Sequence, residues 1–364
     1  AFDAPRRALV VAGQHGDEPI AMNAVEAIAA RHPPTEGQAV AFIHCANPDG
    51  RRARTRCTSA GVDLNRDHQR LQAPETQALH RFARAFSPQM VIDAHTFKPR
   101  RRFLLAHGLE WGADVMVELD NHPGALDDYA ERWKTWICPV MAQLAPEDVR
   151  LDRYLVASAT GGLRVSSCDL VDGRNGLAAS VGAVGILIEG REPSRRYGSA
   201  MRTRRTMMRA IEVLLDRWMT TESVSAVEAS TLHLDVRRRG AEISAFTLGQ
   251  NDDEPRRRRL PGRPLVDVTA ARPVAVPSAY GVPRQAHQLV ALLARHGFAP
   301  VEPSAVAQTI AVEQTAVIRD GRPSKRTGLL RRPDLEWRNQ RPRLDAHLYF
   351  STEQPRGHRL VAML

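Results

Sequence analysis

A chain of 364 residues, 43% hydrophobic and 25% charged, is close to the globular average, which excludes a disordered or fibrous protein and leaves room for a large core plus an appendage. The formal charge of +10 is almost all arginine, since Lys98, Lys134 and Lys325 are the only lysines; this is a bias spread over the whole chain, and the runs Arg100-Arg101-Arg102, Arg237-Arg238-Arg239 and Arg256–Arg259 lack the interleaved aromatics of a nucleic-acid platform. Cys45, Cys57, Cys138 and Cys168 are too few for a disulfide scaffold and form no CxxC pair, and no stretch reaches the ~20 apolar residues that span a bilayer, so neither nucleic acid nor a membrane span is expected. The compartment, cytoplasm or periplasm, stays open.

In chain order, the apolar run 8–12 ends at Gly13 and reads as a buried strand. Pro19 fits a first helical position, with apolar residues at helical spacing to about residue 30. A second strand is expected over 39–46, stopped by Asn47-Pro48-Asp49-Gly50. Residues 73–86 read as a helix and 90–94 as a strand that delivers His95 at its end. The run 181–188 delivers Glu189 in the same way, and 202–218 is an amphipathic helix. Strands alternating with helices imply an α/β fold, a mainly parallel mixed sheet flanked by helices, whose ligand site lies beyond the carboxyl ends of the strands. After residue 221 the character changes to a charged, proline-containing stretch, short strands and one helix over about 283–296. The expected division is residues 1–222 for a catalytic domain and 223–364 for a smaller β-rich region of unknown role.

Gln14-His15-Gly16-Asp17-Glu18 places an imidazole and a carboxylate three residues apart in a turn between strand and helix. Zinc takes such nitrogen and oxygen ligands, and a catalytic site keeps three of them with one position open, so a third ligand from another strand is expected; His95 in Asp93-Ala94-His95 is the candidate. A lone His-x-x-Glu is weak evidence. Further motifs follow in order: Asn47-Pro48-Asp49-Gly50, Thr55-Arg56, Gly61-Val62-Asp63-Leu64-Asn65-Arg66-Asp67, Asp93-Ala94-His95 and Ile188-Glu189. Together they resemble the M14 zinc carboxypeptidases, in particular the compact bacterial branch near the succinylglutamate desuccinylase and aspartoacylase group.

That resemblance, over roughly residues 8–220, implies one zinc ion held by His15, Glu18 and His95, with Asp63 orienting the first histidine. Arg56 matches the arginine that polarises the scissile carbonyl, with Arg51, Arg52 and Arg54 as alternatives nearby. Asn65 and Arg66 match the pair that grips a substrate carboxylate, and Glu189 matches the general base that takes a proton from zinc-bound water. Arg174, in Asp172-Gly173-Arg174-Asn175-Gly176, is a candidate for the substrate pocket; the alternative is an ion pair with Asp169 or Asp172. A tyrosine often follows Gly-Arg-Asn in bacterial relatives, but here the position is Gly176, and neither Tyr154 nor Tyr197 matches a motif. The implied activity is a metallocarboxypeptidase cleaving the amide beside a terminal carboxylate. The alternative is a zinc-dependent deacylase of N-acyl amino acids. A binding protein that keeps the fold without catalysis is a third reading.

Overall fold

The structure is a computed structural model that describes residues 3–32, 35–126, 129–157, 162–166, 168–220, 231–275, 279–302, 313–320, 334–340 and 347–351. Its first part alternates strands and helices: β1 (Arg6–Ala12), α1 (Pro19–Ala29), β2 (Gln38–Ile43), α2 (Pro48–Ala53), α3 (Pro74–Phe86) and β3 (Met90–Phe97). The short elements α4 (Arg102–Leu105), β4 (Leu109–Trp111), β5 (Val115–Leu119), α5 (Tyr129–Arg132), α6 (Cys138–Leu144), β6 (Leu151–Arg153), β7 (Leu155–Ala157) and β8 (Leu163–Val165) follow. The strand β9 (Val184–Arg191) and the long helix α7 (Ala200–Thr220) come next.

Six strands form the central sheet in the order β2-β1-β3-β9-β5-β6. The first four run parallel, β5 pairs antiparallel to β9, and β6 runs parallel to β5. The sheet is therefore mixed and mainly parallel, as the alternation of strands and helices implied. Side-chain alternation along the strands builds two layers. Ala8, Val10, Ala12, Met90, Ile92 and Ala94 pack with Val25 of α1 and Ile211 of α7 on one face. Leu9, Val11 and Val91 pack with Leu79 and Ala83 of α3 and with Leu177 on the other. Burial on both faces explains why the middle of β1 and the start of β3 are apolar on both sides, with the buried Asp93 as the exception.

Three boundaries differ from expectation for physical reasons. β2 stops at Ile43, and Asn47 caps α2 by accepting a hydrogen bond from Gly50 N, so the anticipated turn is a capped helical turn. β3 runs on to Phe97 and β9 to Arg191, which places His95 and Glu189 inside the last residues of their strands. Ladder hydrogen bonds, which a hydropathy run does not reveal, carry both strands past their apolar cores.

Beyond α7 the described strands are β10 (Thr231–Gly240), β11 (Ser244–Gly249), β12 (Arg256–Arg259), β13 (Leu265–Ala275), β14 (Ala279–Pro283), β15 (Glu313–Asp320), β16 (Asp334–Gln340) and β17 (His347–Ser351), with the helix α8 (His287–Arg295). The expected boundary near residue 222 lies outside the described residues. Strands on its far side nonetheless pair with strands on its near side, β11 with β4 and β13 with β8. Among the described residues no disulfide is formed and no helix is long and apolar enough to cross a membrane.

Candidate metal centre

The ends of β1 and β3 lie side by side, with Ala12 opposite Ala94 in the ladder. The chain leaving β1 turns through Gly13, whose φ of 70° suits glycine, and runs to His15 and Glu18, the last residue before Pro19 starts α1. His95 stands one residue past the Ala12–Ala94 pair. One ligand atom each from His15, Glu18 and His95 lies within 4.8 Å of the others, and all three residues are buried. Glu18 bridges the imidazoles: Oε1 is 2.7 Å from His15 Nδ1, and Oε2 is 2.9 Å from His95 Nδ1 and accepts Thr96 N–H at 3.0 Å.

Each histidine has a carboxylate at its far nitrogen. His15 Nε2 is 3.2 Å from Asp63 Oδ1, and His95 Nε2 is 2.9 Å from Asp93 Oδ1. A proton on each Nε2, which the Asp63 and Asp93 carboxylates favour and the Asn65 Nδ2 donor 3.0 Å from His95 Nε2 opposes, would leave both Nδ1 lone pairs directed at one point, the arrangement found around metal-ligating histidines. Two nitrogens and one carboxylate oxygen, converging and backed in this way, fit a zinc-type ion. Burial pushes the Glu18 carboxyl up, but His95, which Asp93 and Glu18 hold in its cationic form when no ion takes its Nδ1, and His15 more than reverse this and hold it well below the usual range. Burial likewise opposes ionisation of Asp63 and Asp93, and the facing histidines win at both.

Arg56 donates from Nε to Asp63 Oδ2 at 2.9 Å, and its Nη1 reaches 3.3 Å from His15 Nδ1, on the ligand side of the ring. Arg51, Arg52 and Arg54 are exposed on or just after α2, which separates them from Arg56. Glu189 is the ladder partner of His95 on the adjacent strand, so the two side chains rise from the same face. Burial pushes the Glu189 carboxyl up to about 8; nearby His95 lowers it, Glu18 raises it, and a hydrogen bond from Tyr154 lowers it.

The substrate candidates divide. Arg66 is half-buried and contributes to the positive field at Asp63 and Tyr154. The amide of Asn65 is turned inward, with Oδ1 accepting Gly173 N–H at 2.7 Å and Nδ2 lying 3.0 Å from His95 Nε2. Arg174 is 1% exposed, donates to Ser166 Oγ and Asn121 Oδ1 at 3.0 Å each, and stands 3.6 Å from Asp172. The ion pair with Asp172, weighed against a substrate role, is present. Tyr197 is enclosed by the guanidinium groups of Arg191, Arg150 and Arg202 at 5.2 to 5.8 Å from its ring.

Asp93 and Tyr154, to which the motifs assign no role, join the site. Asp93 precedes His95 by two residues in a strand, and that spacing puts both on one face. Tyr154 follows β6, two strands from Glu189, and no local motif announces a contact made across a sheet.

No family model matches the sequence and no curated protein matches it. Solved structures do. A metallo-carboxypeptidase from Pseudomonas aeruginosa is 18% identical, with 59% of each chain covered and a TM-score of 0.45. One from Burkholderia cenocepacia is 18% identical, with 59% of each chain covered and a TM-score of 0.44. A succinylglutamate desuccinylase/aspartoacylase from Rhodobacter sphaeroides is 16% identical, covers 75% of this chain and 86% of its own, and has a TM-score of 0.40. The matched part spans about three fifths of the length of the metallo-carboxypeptidases.

Proposed function

We propose that this chain is a zinc-dependent hydrolase of the M14 type, a metallocarboxypeptidase acting on the amide bond beside a substrate's free carboxylate. The observation that supports it is the convergence of His15, Glu18 and His95 with Glu189 in register beside His95 and Arg56 against His15. His15 Nδ1, His95 Nδ1 and the Glu18 carboxylate would hold the ion. Bound zinc supplies Lewis acidity and lowers the pKa of a water to about 7. Glu189, in a buried pocket that favours its protonated form, is suited to take a proton from the attacking water and return it to the leaving amine. Arg56, fixed by Asp63, presents a cation where a carbonyl oxygen would gain charge. Arg66 supplies the cation for the substrate carboxylate, while Asn65 holds the Gly173 segment against His95. Arg174 supports the pocket from within, by tying Ser166, Asn121 and Asp172 together.

The test is metal analysis of the purified protein, with wild type and Glu189→Gln compared on peptides and N-acyl amino acids. One equivalent of zinc, with turnover of C-terminal peptide bonds that Glu189→Gln abolishes, is the expected result. Turnover of N-acyl amino acids alone would replace the carboxypeptidase by a deacylase, and absence of stoichiometric metal would overturn the reading.

A further inference from the structure

Behind His95 lies a line of buried polar side chains that the proposed hydrolysis does not use. Asp93 Oδ1 accepts not only His95 Nε2–H but also Gln14 Nε2–H, at 2.6 Å. Gln14 Oε1 is 2.7 Å from His68 Nε2, and His68 Nδ1 is 3.0 Å from His80 Nε2. Gln14, His68, His80, Asp93 and His95 are each at most 1% exposed, so bulk water does not compete for these bonds. The outer end meets the C-terminal region, where the His296 ring packs edge-on to His80 at 5.6 Å and His296 Nε2–H donates to Gln69 O at 2.9 Å.

The protonation pattern follows from chemistry. Asp93 Oδ1 offers an acceptor to the Gln14 amide at 2.6 Å, so the amide nitrogen stands on its side and the amide oxygen turns to His68. His68 must then carry its proton on Nε2. Burial disfavours a charged His68 and keeps it neutral, so Nδ1 is an acceptor and His80 donates to it from Nε2. Every bond in the line points the same way, from His80 through His68 and Gln14 to Asp93. Bonds so aligned polarise one another, and an aligned chain ending on a carboxylate stabilises its negative charge.

We propose that Gln14 and His68 are positioning residues for the metal ligand His95: acting through Asp93, they keep the proton on His95 Nε2 and its Nδ1 lone pair free for the ion. This rests on the zinc reading of the site. A side chain at 68 lacking a donor toward Gln14 frees the amide to rotate, and Asp93 loses its second hydrogen bond. His95 then samples the wrong tautomer and ring orientation, and outer partners of this kind are worth 10- to 100-fold in metal affinity.

His68→Gln and His68→Asn separate the effect from folding. The longer amide reaches where Nε2 stands and restores the donor; the shorter one occupies the Nδ1 position and faces His80 alone. Zinc affinity is measured by chelator competition on wild type and both variants. The His95 Nε2–H proton resonance of the zinc-loaded proteins and the thermal midpoint of the metal-free proteins accompany it. The expected result is about tenfold weaker zinc binding and a shifted His95 resonance in His68→Asn, with His68→Gln within about threefold of wild type. Wild-type affinity and an unmoved resonance in His68→Asn overturn the relay while leaving the zinc site intact. Failure of the wild type itself to hold zinc overturns both. If His68→Asn does not fold, Gln14→Glu serves instead, since it sets a carboxylate against Asp93; wild-type affinity there overturns the proposal equally.

Discussion

The hydroxyl of Tyr154 is hydrogen-bonded to the carboxyl of Glu189. Glu189, held up to about 8 by burial, keeps a proton in the folded protein over a range where the unfolded chain, at the ordinary value of 4.5, has lost it. Stability from this group is thus fully present below about 4.5 and is lost as the pH rises through about 8. In metal-free protein, denaturant unfolding at pH 5 and pH 9 should show a decline that Glu189→Gln reduces by up to about 4 kcal/mol. Tyr154→Phe removes a bond that favours the charged form and should move the window to higher pH. Identical pH dependence in wild type and Glu189→Gln would remove Glu189 from the role of buried acid.

Arg56 is tied to Asp63, yet its side chain is 38% exposed, so the pair contributes at most about 1 kcal/mol to folding. Arg56→Met should leave the thermal midpoint nearly unchanged and lower kcat by about 100- to 1000-fold, the usual effect of deleting an oxyanion donor. A raised KM at unchanged kcat would instead make Arg56 a substrate-binding group.

Gly173 is required by close approach. A Cβ there would lie 2.6 Å from Asp93 Oδ2 and 2.6 Å from Gln14 Nε2. Gly173→Ala should destabilise the fold by about 1–3 kcal/mol. It should also weaken zinc binding by displacing the carboxylate behind His95. Calorimetric unfolding and a metal titration on the same variant check both; unaltered zinc affinity would show that Asp93 tolerates the displacement.

Arg174 distinguishes support from recognition. Arg174→Met leaves Asp172 without its buried cation, for which the expected loss is about 3–5 kcal/mol. Stability measured against KM decides the matter. An intact fold with a large rise in KM would return Arg174 to the substrate pocket.

The parallel half of the sheet was readable in the sequence because β1 and β3 are buried on both faces and so are mostly apolar: 8–12 and 90–94, interrupted at Asp93, mark β1 and β3, and Pro19 marks the start of α1. The turn from His15 to Glu18 was legible because the two candidate ligands are local. The antiparallel half was not. β5 carries Glu118 inside an apolar strand, where its carboxylate accepts from Tyr129 and Arg153, and only tertiary contact makes such a residue buried. The charged triplet Leu-Asp-Arg of β6 was silent too, because Asp152 is buried by partners from far along the chain: Phe246 N–H at 2.6 Å and Arg257 at 3.0 Å. The inward turn of Arg174 was legible only in part, since Asp172 stands in its own motif while Ser166 and Asn121 lie outside it.

Thr247, Leu248 and Gly249 of β11 pair with Trp111, Glu110 and Leu109 of β4. Among the described residues β4 has no other ladder partner, so a strand made early in the chain is paired by residues more than a hundred positions later. During synthesis β4 stays unpaired until β11 has left the ribosome, and over this interval its backbone groups are available to other chains. The pairing also joins parts of the chain that composition alone would separate, so unfolding of the first part of the chain and of β11 is expected as one transition. Nascent protein, rather than the finished fold, is where this chain is most exposed to misassembly.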